Sequence, residues 1–75
     1  MERQPVQSGL MKSAGHDGKL LLEVEFSNGA VFQYEGVAPW KFAQMLSAPS
    51  VGKYFNREIR GKYDGKKIEP NPTSG

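Results

Sequence analysis

The fold turns on the stretch Leu20-Leu21-Leu22-Glu23-Val24-Glu25-Phe26-Ser27-Asn28-Gly29-Ala30-Val31-Phe32-Gln33-Tyr34. Two runs joined by Asn28-Gly29 are a strong hairpin signal, because that dipeptide tolerates the positive φ such a turn needs. Leu20, Leu22, Val24 and Phe26 alternate with Glu23 and Glu25, so a strand over Lys19 to Ser27 has one apolar face. The following strand, Ala30 to Glu35, has two registers. A two-residue turn pairs Phe26 with Val31 and sets Phe32 and Tyr34 beside the two carboxylates. A three-residue turn, Ser27-Asn28-Gly29 with Gly29 left-handed, pairs Val24 with Phe32 and Leu22 with Tyr34, and both rings then face the core. At roughly 25 cal/mol per Å² of apolar area removed from water, two buried aromatics favour the second register.

Before this hairpin, Leu10 to Gly15 reads as a strand. Asp17-Gly18 after it suggests a two-residue turn that pairs Met11 with Val24 and sets Lys12 opposite Glu23. After the hairpin, Pro39 suits the first turn of a helix whose apolar stripe is Phe42, Met45 and Leu46. Pro49 breaks that helix, and Ser50 caps a second one from Val51 to about Arg60. Its inner face is Val51, Tyr54, Phe55 and Ile59, and Gly61 is placed to end it. Tyr63 to Ile68 reads as a short strand or turn. The expected fold is α+β: a three-stranded antiparallel meander followed by two short helices packed on one sheet face, with a short C-terminal strand as an option. One domain covers 6–68, with 1–5 and 69–75 as flexible tails.

Seventy-five residues without cysteine leave a small core to carry the fold unaided, so burial is the default expectation for each large apolar group. The lack of cysteine fits a cytoplasmic protein. No apolar run approaches the length of a membrane span, and the polar start, Met1-Glu2-Arg3-Gln4-Pro5, does not read as a signal peptide. His16, the one histidine, reads as a solvent-facing turn residue. No further ligand or nucleophile is spaced to join it, so neither a metal site nor a catalytic dyad is expected. The glycines sit at turns and helix ends rather than in a phosphate loop. The expectation is a monomer without enzymatic activity or cofactor.

Charge is unevenly spread. Residues 1–40 carry three cations against five carboxylates, whereas 41–67 carry seven against two, a net +5. Lys53, Arg57 and Arg60 share one face of the second helix and Lys62 continues it, an arrangement suited to phosphates. Arg57 and Arg60 also complement the helix dipole, so a solvated basic face accounts for the same pattern. Trp40 lies off the apolar stripe beside Lys41. With Tyr63 it is a candidate for base stacking or, alternatively, for a protein contact; the structural alternative for Trp40 is to seal the core edge.

The chain resembles the KTSC domain, a small module at the C-terminus of some lysyl-tRNA synthetases that also occurs as single-domain proteins of bacteria and phages. The resemblance spans about Val6 to Ile68. It rests on Leu22-Glu23-Val24-Glu25-Phe26, Asn28-Gly29, Phe32-Gln33-Tyr34, Gly36-Val37 and Ala48-Pro49-Ser50-Val51-Gly52-Lys53-Tyr54-Phe55-Asn56-Arg57-Glu58-Ile59-Arg60. The family's tyrosine-x-tyrosine appears as Phe32-x-Tyr34; His16 and Asp64-Gly65 also depart from its pattern. The resemblance implies the α+β fold and no established activity. RNA binding follows from the synthetase association, with a protein-interaction module as the competing expectation.

Overall fold

The computed structural model describes residues 2–68. Five antiparallel strands stand in chain order in one sheet: β1 (Gln4–Pro5), β2 (Met11–His16), β3 (Leu21–Phe26), β4 (Val31–Glu35) and β5 (Gly65–Ile68). Helices α1 (Pro39–Ser47) and α2 (Val51–Glu58) lie between β4 and β5. The α+β class and both helices are as expected; the sheet has five strands rather than three, and the fifth lies within Tyr63 to Ile68, the segment read above as a short strand or turn.

Both additional strands come from segments whose own sequence is weakly patterned. Gln4-Pro5, read above as part of a flexible tail, pairs with Ala14 and Ser13. Gly15 makes room for this, since a Cβ there would collide with the Glu2 carbonyl oxygen. β5 pairs along β4, setting Lys67 opposite Phe32 and Gly65 opposite Tyr34. It satisfies backbone groups that would otherwise form an open edge. The expected tail over 69–75 lies outside the described residues.

At β3–β4 the three-residue turn is the one adopted. Phe26 N–H donates to Ala30 O at 2.8 Å, Gly29 has φ +91°, and Val24 faces Phe32 while Leu22 faces Tyr34. Burial of the rings and the turn chemistry agree here.

The β2–β3 register differs from the expectation. Met11 opposes Phe26, and Gly15 rather than Lys12 opposes Glu23, with a bulge between Met11 and Ser13. The extra residue restores Met11, Ala14 and His16 to one face, so Met11 and Ala14 both enter the core. The turn is also longer than two residues. Asp17 N–H donates to Leu21 O at 3.1 Å, while the Asp17 carboxylate accepts from the N–H groups of Lys19 and Leu21. Leu20 therefore sits in the loop, 56% exposed, instead of on the apolar face.

Parity also moves His16 inside. Its side chain is only 4% exposed, correcting the expectation of a solvent-facing residue. Nδ1 accepts from Gly18 N–H at 3.0 Å and Nε2 lies 2.7 Å from the Val37 carbonyl oxygen. An acceptor on one nitrogen and a donor on the other define the Nε2–H tautomer. The ring stacks on Phe42, with centroids 5.7 Å apart, and ties the end of β2 to the chain entering α1.

The helices cover one sheet face. Phe55 and Ile59 of the α2 segment and Met45 of α1 are fully buried with Met11, Leu22, Val24 and Val37. Ser50 caps α2 as expected, its hydroxyl accepting from Lys53 N–H at 3.3 Å. Tyr54 joins the helices by donating its hydroxyl to Gln44 Oε1 at 3.0 Å.

Candidate nucleic-acid interface

The inward face of α2 buries Tyr54 and Phe55, so helical geometry sends Lys53 and Arg57 outward, and Arg60 follows in the turn beyond the helix. All three are exposed, and among the described residues Lys53 forms no ion pair. The Arg57 guanidinium lies 5.7 Å from the Tyr54 ring centroid and also bonds Glu58 at 3.0 Å. Arg60 donates to Asn56 Oδ1 at 3.3 Å, one helical turn back. Asn56 thus holds the arginine, a role its sequence position alone did not reveal.

Lys62, Trp40 and Tyr63 belong to a second cluster. Lys41 lies 5.6 Å from the Trp40 ring and 5.5 Å from the Tyr63 ring. Its Nζ is 3.7 Å from Glu58, and Lys62 reaches the same carboxylate at 3.5 Å. The hydrogen bond from Arg57, aided by Lys62 and Lys41, holds the Glu58 carboxyl below its ordinary range despite opposing desolvation. Glu58 therefore partly neutralises three cations. Trp40 is 60% exposed, so it does not seal the core edge.

A third feature was not foreseen. Phe26, Phe32 and Tyr34 line a groove of about 530 Å³ with Leu10, Asn28 and Arg60. The helices do not roof this end of the inner face: Phe26 and Phe32 are only partly buried, while Phe55 behind them is fully buried. The rings form a connected set, with Phe26–Phe32 centroids at 5.4 Å, Phe26–Phe55 at 5.5 Å and Tyr34–Phe55 at 5.3 Å. Burial pushes the Tyr34 hydroxyl pKa up, and Arg60 opposes that shift. Lys67 opposes Phe32 in the ladder and so shares its face. The structure thus brings Arg60 to the aromatic residues and leaves Trp40 in a separate cluster.

The outer sheet face has a different chemistry. Glu23 is only 6% exposed, pairs with Arg3 and accepts from Gln33 Nε2 at 2.9 Å. Arg3 also donates to Ser13 Oγ at 3.0 Å, and Ser13 donates to Glu25 at 3.1 Å. These carboxylates face away from the groove. Among the described residues no three acidic, histidine or cysteine side chains are grouped to hold a metal, and no helix is long and apolar enough to cross a membrane.

The KTSC domain family model matches residues 7–63. A crystal structure of a KTSC domain protein from Yersinia pestis superposes with a TM-score of 0.87 at 36% identity, covering 91% of this chain and 97% of that one. An uncharacterised protein of Stutzerimonas stutzeri is 39% identical over 64 residues, 84% of this chain and 90% of its own length. A lysine–tRNA ligase of Nostoc punctiforme is 40% identical over 42 residues, 56% of this chain and 8% of that enzyme. The hairpin, the inner face of α2 and these matches agree: the chain belongs to the KTSC domain family.

Proposed function

We propose that this chain is a small non-catalytic module that binds nucleic acid, with RNA the preferred class, as a cytoplasmic monomer. The observation that carries the reading is the exposed row Lys53, Arg57 and Arg60 along and just beyond α2. Phosphate contacts of this kind supply most of the affinity in sequence-independent binding. The related segment in a lysine–tRNA ligase adds support from a protein named for a tRNA substrate.

Amide chemical-shift mapping with single-stranded RNA at two salt concentrations tests this. Shifts should concentrate between Lys53 and Lys67, and affinity should fall steeply with salt. Arg57→Ala should reduce the logarithmic salt slope by about 0.7, the share of one single-strand phosphate contact. Amides that stay silent at low salt would end the proposal.

A second reading has its own observation: Trp40 and Leu20 are the large apolar side chains left exposed among the described residues. A protein partner seated on Trp40 would bind with little salt dependence and be lost on Trp40→Ala.

A further inference from the structure

We propose that the groove between the β3–β4 turn and Arg60 is a base-binding subsite. One base of a single-stranded segment lies against Phe26 and Phe32, while Arg60 and Lys67 hold the neighbouring phosphates. The inference rests on the nucleic-acid reading above and deepens it, because it moves the recognition element from the basic helix face to the margin of the sheet.

Three observations converge on this ligand. First, the rings are partly uncovered yet held from behind. Phe55 touches both Phe26 and Tyr34 edge-on and is itself fully buried, so the stacking platform is set before a ligand arrives. Stacking on a prepositioned ring tolerates any base, since every base has a π-face.

Second, the charge is of one sign. The lining includes Arg60 and no carboxylate, Lys67 shares the face of Phe32, and the acidic Glu23 and Glu25 lie across the sheet. Asn56 holds the Arg60 guanidinium in place. An apolar peptide would gain nothing from two cations at the rim, whereas a nucleotide uses both the rings and the charges.

Third, Asn28 of the β3–β4 turn lines the groove. Its side-chain oxygen accepts from Ala30 N–H at 3.0 Å, leaving the amide NH₂ unbonded among the described residues. That group is available as a donor to a base edge. A duplex keeps its bases stacked within the helix, so the occupant is a single strand, a loop or an end.

The test compares two ligands of equal backbone charge at low salt: a single-stranded oligouridylate of roughly ten nucleotides, within the range such grooves hold, and its abasic counterpart. Aromatic ¹³C–¹H spectra report the rings directly. The oligouridylate should shift the Phe26 and Phe32 signals and bind about tenfold more tightly than the abasic strand, as expected for one stacked base. Phe32→Leu should abolish that difference while retaining abasic binding. Lys67→Ala, at an exposed position that does not threaten folding, should weaken both strands severalfold.

Silent rings with shifts confined to Lys53 and Arg57, or equal affinity for the two strands, would overturn the base subsite and leave phosphate binding standing. No response anywhere would remove both. Ring shifts that follow protein concentration without RNA would assign the groove to a second copy of the chain and overturn the subsite.

Discussion

The two faces of the sheet separate polarity from availability. On the outer face Glu23, Glu25, Arg3, Ser13 and Gln33 satisfy one another, so a polar surface is chemically closed. On the inner face the residues are apolar, yet Phe26 and Phe32 remain partly exposed at one end beside Arg60. A ligand gains little from groups that already have partners. It gains more from flat apolar area with a cation at its border.

The largest loss is expected at the buried ring that supports Phe26 and Tyr34 from behind. Phe55→Ala removes the edge-on support of Phe26 and Tyr34 and should lower unfolding free energy by about 3–5 kcal/mol, read by urea denaturation. On the outer face, Arg3→Ala leaves the Glu23 carboxylate buried without its cation and should cost about 1–3 kcal/mol. The same change in a Glu23→Gln background should cost less. Additive losses in that double-mutant cycle would show that the closed network is not a coupled unit.

Glu58 gives the smallest effect and the sharpest view of availability. Glu58→Gln releases Lys41, Arg57 and Lys62 and should raise RNA affinity severalfold with a small loss of stability at neutral pH, the same contribution that acid removes. The acid dependence follows the same groups. Folded Glu58 titrates below its ordinary value of 4.5, chiefly through its hydrogen bond with Arg57. Asp17 titrates below 3.8, chiefly through the N–H groups of Lys19 and Leu21. Each contribution is therefore present above the ordinary value and lost as pH falls through the lower folded one. The urea midpoint should decline through this window, and Asp17→Asn should flatten the decline.

The central hairpin and both helices were legible because their signals are local: a period of two, an Asn-Gly turn, a proline start and a serine cap. The helical period also sends Lys53 and Arg57 outward, but α2 ends at Glu58, so Arg60 leaves that face and lines the aromatic groove instead. The missing parts depend on relations between distant residues. Nothing near Gln4 marks it as a strand, since its place depends on the missing side chain of Gly15. Nothing near His16 discloses its burial, which follows from a bulge that reverses parity upstream. Phe32 and Tyr34 both lie on the inner face as read; Tyr34 is buried there, whereas Phe32 stays partly uncovered. Only the pairing of β5 with β4 places Lys67 beside Phe32, and only the extent of the helices leaves the rings unroofed.

That last strand has a kinetic meaning. Every strand pairs with its neighbour in the chain, so most ladders close over short loops and need little entropy to form. β5 is the exception, separated from β4 by both helices. It should seat after the hairpins and be among the first elements to open in native-state hydrogen exchange. Because β5 carries Lys67 and lies beneath Tyr34 at Gly65, the groove is assembled late, and its rim is held by the ladder that closes over the longest loop of the sheet.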